Sequence, residues 1–503
     1  MEEEAAAAAP SAFDKMLDGV TLVSDFIWGG NWGDTQILPV APMVIVLFGV
    51  GLLFMIRLKF YPVLKLPSAF AGLFKKQTGE AKGEISPFAA LSTALSGQVG
   101  TGNLAGVATA ITLGGPGALF WMWITALLGM ALAFAEGSLA IRYRDHDGDG
   151  NYRGGPMSYI RRGLGKKFGW LAVLFCIGTL LSSISTGNVI QANGVADAIV
   201  GLAPALPEWG AGLIVAVLVF VVIIGGIKSI GTVAETIVPA MAAGYIIMAL
   251  AAIILNIRDI PEAFGAIFGS AFTGHAATGG FVGSGVMLAI RAGVARGLFS
   301  NEAGQGSTPM AHAAARTDDP ARQGRFAMMG TFMDTIVICT MTGLVILTVE
   351  GNFTHNGEAV KHAWMSDLNG FNLTSSAFAE AFPLQLAGIP IGQLVAALAL
   401  ILFAFTTLIT WGYYGERAVT FLFGKSLAIP WRVLWCVMAF VGSFQNLEFV
   451  WRLGDIANAT MAFPNLIALF LLSGVVVALA KGDRKAGKDH DDEGAETSGT
   501  PAE

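Results

Sequence analysis

The chain is a succession of long apolar runs divided by short clusters of charge, and no property constrains its fold more. Eleven runs stand out, at about residues 37–57, 88–113, 116–141, 169–200, 210–227, 234–256, 283–306, 326–349, 390–412, 430–447 and 456–480. A helix needs roughly 20 residues to cross bilayer hydrocarbon, and these runs meet or approach that length. Only 13% of the residues are charged, about half the share in soluble domains, and mean hydropathy is +0.64. Most runs are apolar on every face, as helices in lipid are, and none alternates like a barrel strand. The expected fold class is an all-α polytopic membrane protein with eleven transmembrane helices.

Several functions are excluded by what the chain lacks. Net charge is −6 and no basic patch offers a surface to nucleic acid. Cys176, Cys339 and Cys436 lie inside apolar runs, and the six histidines are scattered, so neither a disulfide framework nor a metal-ligand spacing exists. The H-E-x-x-H and G-x-S-x-G patterns of membrane-embedded hydrolases are missing, as are paired aspartates on neighbouring runs. The acidic, alanine-rich start does not read as a cleaved signal peptide, so the first run is expected to act as the insertion signal.

Lysine and arginine set the orientation. Outside the runs, 23 follow odd-numbered runs and four lie on the other side: Lys15, Arg258, Lys361 and Arg452. The positive-inside rule then predicts an outside N-terminus and a cytoplasmic C-terminus in the plasma membrane. Residues 1–36 become an extracytoplasmic segment, 37–482 a single transmembrane domain, and 483–503 a charged, disordered cytoplasmic tail. Residues 350–389 form an external loop, with glycosylation sequons at Asn352 and Asn372.

Two runs are interrupted. The second contains "SGQVGTGN" and the seventh is punctuated by glycine throughout residues 279–306. Gly100 to Ala105 has the spelling of a dinucleotide-binding turn, but the residues after it form bilayer helix rather than a β-α-β unit. Backbone without helical hydrogen bonds is tolerated in a membrane only where it is buried in protein or lines a cavity. The two interruptions stand five runs apart. An odd offset implies opposite orientation, so the expected architecture is one leading helix and a five-plus-five inverted repeat with two broken helices.

An unwound stretch at 97–103 frees backbone groups of both kinds. Free N–H groups at the start of the second half-helix suit a carboxylate, and free carbonyls at the end of the first suit a hard cation such as Na⁺. Gly100 and Gly102 let backbone approach the ligand closely. In the ninth run, Thr406 and Thr407 are adjacent hydroxyls, read either as ion ligands or as bonded back to their own helix. Trp411 follows Thr407 on the same face, either walling a pocket for small side chains or anchoring the interface. Asp334 lies within the eighth run, where a carboxylate marks a functional site; its roles are ion ligation, proton transfer, or pairing with Arg291 or Arg296. Glu136 reads as structural, near Arg142 and Arg144.

Four blocks, "GQVGTGNLAGVATAITLGGPGALFWMWITALLG", "GGPMSYI", "GLFSNEAGQGSTPMAHAAA" and "FAFTTLITWGYYGER", resemble the sodium:alanine symporter family over about residues 30–480. The resemblance implies Na⁺-coupled uptake of alanine, glycine or another small neutral amino acid, by alternating access, on the leucine-transporter fold. It implies that Thr101 and Gly102 offer amides to the substrate carboxylate and that Gln98 sits near its amine. It assigns Asn103 to a sodium that touches the substrate, with Asp334 as a further ligand by position. Ser96 and Val99 carbonyls, with Thr406 and Thr407, go to a second sodium. Phe281, Gly285 and Met287 become substrate contacts, while Asn301 and Glu302 read as gate or packing residues. Proton coupling through Asp334 is the mechanistic alternative, and a channel the functional one.

Overall fold

The computed structural model describes residues 12–490 apart from 34, 39, 74–80, 147–151, 274–281 and 446. Almost all regular structure is helical. An N-terminal helix α1 (Ala12–Gly29) precedes α2 (Pro42–Arg57), which is bent by 74° from α3 (Tyr61–Leu73). The first broken helix comes next as α4 (Pro87–Gln98), a π-turn at Gly102–Gly106, and α5 (Val107–Gly114). Then come α6 (Gly117–Arg142), the short α7 (Pro156–Leu164), and α8 (Gly169–Ser182), joined to α9 (Ile190–Leu202) by a π-turn at Ser183–Val189. Next are α10 (Glu208–Ile223), α11 (Gly226–Leu255) and α12 (Ile260–Thr273).

The second half opens with α13 (Val282–Asn301), a loop, and α14 (Pro309–His312). A third π-turn, Phe332–Cys339, joins α15 (Pro320–Thr331) to α16 (Thr340–Thr348). After α17 (Gly370–Ala381) come α18 (Ile391–Phe423), α19 (Ala428–Gly442), α20 (Leu447–Leu471) and α21 (Ser473–Ala480). Among the described residues, seven helices are long and apolar enough to cross a membrane, and the bent pair α2–α3 allows an eighth. The protein is thus a multi-pass helical bundle. Of the expected eleven runs, 88–113 is a broken helix and 210–227 is the 16-residue α10, so neither is among the seven.

At the centre stands α6, packed against α2, α13 and α15. Small residues permit this closeness, as they do between membrane helices generally. A Cβ on Gly293 of α13 would lie 2.4 Å from the Ala118 carbonyl of α6. The first broken helix is enclosed by α11, α13 and α18.

Two segments read as irregular prove to be ordered. Residues 350–389 form an antiparallel hairpin, Glu350–His355 with Glu358–His362, followed by α17. Lys361 of the hairpin ties it to the start of α12 through Asp259 at 3.0 Å, and the hydrogen bonds it donates to Asp259 and Glu350 hold its pKa above the ordinary lysine range. α17 lies on the first broken helix, where Thr374 Oγ1 donates to the Leu104 carbonyl at 3.0 Å. The tail expected to be disordered from 483 is docked as far as His490. Arg142 donates to the Ala486 carbonyl, and Arg162 pairs with Asp489 at 2.7 Å.

Candidate functional site

The first helix stops after Gln98. Val99 turns extended (φ −80°, ψ 96°) and the chain resumes at Thr101. Three glycines in six residues weaken the helix by about 1 kcal/mol each, and neighbours leave no room for side chains. A Cβ on Gly100 would stand 2.6 Å from Thr407 Oγ1, and one on Gly102 2.9 Å from the Phe299 ring.

Oxygen atoms collect on one side of this break. Thr407 Oγ1 lies 3.1 Å from both the Ser96 and Val99 carbonyls and 3.0 Å from that of Phe403. Ser96 Oγ meets Thr410 Oγ1 at 2.5 Å. An all-oxygen set of carbonyls and hydroxyls suits a hard cation. Thr406 does not join it: its hydroxyl donates to Phe403 O at 2.9 Å and to Met241 Sδ at 3.7 Å. Thr410, one turn on, takes the place beside Thr407 that was expected of Thr406.

Amide groups collect on the other side. Gly100 N–H donates to Asn103 Oδ1 at 2.9 Å, and Thr101 N–H to Gln191 Oε1 at 3.0 Å. Asn103 in turn donates from Nδ2 to Asp334 Oδ1 at 2.6 Å. The other oxygen of Asp334 accepts from Ser300 Oγ at 2.8 Å and Thr335 Oγ1 at 2.7 Å. Asp334 is fully buried, yet neither arginine considered for it is its partner. Arg291 pairs with Asp25 at 2.5 Å and Arg296 with Asp455 at 3.6 Å.

The second break falls at the C-terminal end of the expected run and just past it. α13 is continuous through its glycines to Asn301, and the helical ladder fails only at 302–308. Glu302 (φ 56°), Gly304 (φ 85°) and Gly306 (φ 89°) are left-handed there, a conformation that costs a non-glycine residue about 1–3 kcal/mol. Gln98 Nε2 bridges the two breaks by donating to the Asn301 carbonyl at 2.5 Å. Glu302 is 1% exposed; it accepts from Trp411 Nε1 at 2.7 Å and Ser307 Oγ at 2.5 Å. Asn465 on α20 supports the loop, donating to the Gly304 carbonyl at 3.0 Å and to Glu136 at 2.6 Å. Glu136 therefore faces the second break and not Arg142 or Arg144, which bind the docked tail and the 313–318 backbone.

Between the breaks is a buried cavity. The first break contributes Gln98, Gly100 and Gly102; the α8–α9 turn region Thr186 and Gln191; the second break Phe299, Glu302 and Gln305; α18 Thr407 and Trp411; α20 Asn458. The centre of a water-sized sphere can move through about 10 Å³ of it, room for about one water. Phe299 also stacks on Trp451 with ring centres 5.1 Å apart. Trp451, with Arg291, Arg296, Asp25 and Asp455, lines a larger pocket of about 350 Å³.

Of the residues named from sequence, Gln98, Gly100, Gly102, Thr407 and Trp411 line the cavity, and Thr101 reaches it through Gln191. Ser96 and Val99 meet Thr407, and Asn103 meets Asp334. Met287 is half-buried, twelve residues before Phe299 on an unbroken helix, about 18 Å along its axis, and does not line the cavity. Phe281 lies outside the described residues. Glu302 is a cavity residue where a gate or packing role was expected. Gln191, Ser300 and Asn458 were not anticipated at all. The signal for Gln191 was present: "STGNVIQAN" is a polar run inside an apolar one.

Known proteins resemble the chain in sequence and in fold. Residues 31–496 match the sodium:alanine symporter family. The sodium/alanine symporter AgcS of Methanococcus maripaludis is 42% identical over 92% of this chain and 96% of that protein. An uncharacterized transporter of Haemophilus influenzae is 44% identical over 92% and 95%. Among solved structures, MhsT in complex with L-phenylalanine superposes with a TM-score of 0.56 at 16% identity, covering 80% of this chain and 93% of that one. This likeness shows the fold, that of the leucine-transporter group. Both the family and the fold relatives are transporters and not enzymes. The chain belongs to the sodium:alanine symporter family.

Proposed function

We propose that the protein carries a small neutral amino acid, alanine or glycine, into the cell together with Na⁺, by alternating access. The observation that carries this reading is the meeting of two helix breaks at one buried polar cavity. A zwitterion needs donors at one end and acceptors at the other. The Gly100–Gly102 backbone supplies N–H groups for the carboxylate, now held by Gln191 and Asn103. Glu302 supplies an acceptor for the ammonium group. Trp411 and Phe299 bound a space suited to a methyl group or a hydrogen.

Two sodium positions fit the oxygen chemistry. One is the Ser96, Val99 and Thr407 group; the other is around Asn103 and Asp334, where a carboxylate has no basic residue as partner among the described residues. The names of relatives agree, among them a probable sodium/glutamine symporter of Bacillus subtilis at 37% identity. The same unpaired Asp334 favours a second reading, in which a proton replaces that sodium. In either case the architecture is one leading helix and five-plus-five inverted helices, eleven spans in all, in the plasma membrane with the N-terminus outside and the C-terminus in the cytoplasm.

The test is uptake of labelled alanine and glycine into proteoliposomes. An inward Na⁺ gradient is expected to drive concentrative uptake, the potential adding about 2.3 kcal/mol per charge per 100 mV. Equal uptake driven by a pH gradient without Na⁺ would replace the first reading with the second.

A further inference from the structure

α18 is 33 residues long, about 50 Å, and its C-terminal part reaches a third pocket, with a lining distinct from that of the substrate cavity. This pocket has a volume of about 390 Å³ and lies where α18 ends, α19 begins and the α10–α11 turn passes. Five cations line it: Arg153, Lys228, Arg417, Lys425 and Arg432. Two carboxylates, Glu84 and Glu416, line it too, which leaves a formal excess of three positive charges. Glu416 is engaged by the wall itself, accepting from Arg432 Nε at 2.6 Å and Arg417 Nη2 at 2.7 Å. These contacts fix both guanidinium groups in place.

Two independent features ask for a negative ligand. The 30-residue α11 begins here; its first turn lines the pocket, and no side chain caps it. Uncapped N–H groups and the positive end of the helix dipole attract anions. The second feature is Tyr413. It is 3% exposed and lines the pocket, yet its buried hydroxyl has no hydrogen-bond partner among the described residues. A buried O–H with no acceptor is costly, and an anionic oxygen in the pocket removes that cost.

We propose that this pocket binds a phosphate-bearing anion, and that its occupant is the headgroup of an anionic phospholipid. The surroundings favour a lipid over a free phosphate. α10 and α19 pack together at the pocket and present Val221, Ile224, Ile429 and Val433 at 63%, 45%, 54% and 51% exposure. A phosphate held among the arginines leaves its acyl chains along this apolar flank. Basic pockets between spanning helices suit such headgroups. A free phosphate uses the same charges and gains nothing from the flank.

The test uses the full chain in neutral detergent, with binding of phosphatidylglycerol, phosphatidylcholine and inorganic phosphate measured separately. Saturable binding of phosphatidylglycerol and none of phosphatidylcholine is expected. Lys228→Gln with Lys425→Gln is expected to weaken it about tenfold, and Tyr413→Phe about threefold. Both lysines are exposed, so the double variant keeps its fold, checked by an unchanged Tm without lipid. Lys166→Gln with Lys167→Gln, exposed lysines outside the pocket, is the charge-matched control and is expected to change nothing. Displacement of phosphatidylglycerol by low-millimolar inorganic phosphate would overturn the headgroup assignment in favour of a soluble anion. Absence of saturable binding, or equal loss in the control, would overturn the pocket itself.

Discussion

The two helix breaks solve the same problem in opposite ways. In the first, at 99–100, the chain is freed for only two residues, and its polar groups are satisfied by side chains: Gln191 and Thr407 from other helices, and Asn103 from just past the break. Those partners can be exchanged for a ligand. In the second, at 302–308, seven residues leave the helix and three take left-handed conformations. That loop is held by fixed structural partners, with Asn465 linking the Gly304 carbonyl to the buried Glu136. The contrast assigns ligand exchange chiefly to the first break and support to the second, with Glu302 as the one side chain the second lends to the cavity.

Four substitutions test that division. Gly100→Ala places a methyl group 2.6 Å from Thr407 Oγ1; overpacking of about 1–3 kcal/mol translates into as much as a 100-fold loss of uptake. Expression should change little and Tm fall by a few °C at most. Normal uptake by this variant means that the closeness of Gly100 to Thr407 serves packing alone. Next, Thr407→Ala is expected to raise the Na⁺ concentration for half-maximal uptake about tenfold, the equivalent of one lost hydrogen-bonding group. Thr406→Ala, with its hydroxyl turned to Phe403 and Met241, should change it by less than about twofold. The reverse order would restore the role expected from sequence. Finally, Glu136→Gln alters only the support of the second break. It should lower Tm by roughly 2–4 °C while the alanine KM stays within about twofold of the parent. A large KM change with unaltered Tm would place Glu136 at the ligand.

The first break was legible because its glycines alternate with polar residues, which are poor material for packing in lipid. The structure brings Ser96 and Val99 to Thr407, Asn103 to Asp334, and Gln98, Gly100 and Gly102 to the cavity, residues singled out by that stretch or by the family resemblance. The exact position of the second break was not legible for the converse reason. The glycines of α13 look like interruptions but serve close packing on α6, as Gly293 against the Ala118 carbonyl shows. Composition cannot separate a packing glycine from a hinge glycine without the neighbouring helix. Glu302, expected as a gate or packing residue near a helix end, lines the cavity because the break turns it towards Trp411. The order in residues 350–389 was hidden because α17 is stabilised by docking on the first broken helix, a contact 270 residues apart in sequence.

The central claim is that amino acid and sodium share the space between the two breaks, so that each stabilises the other. It is tested most directly by alanine binding to the purified chain, measured by titration calorimetry in saturating NaCl and again with choline replacing Na⁺. Coupling between sites of this kind is worth about 1–3 kcal/mol, or roughly 5–150-fold in affinity. The account predicts alanine binding tighter in Na⁺ by a factor within that range, and lost from both conditions in Gly100→Ala. Equal alanine affinity with and without Na⁺ would contradict it.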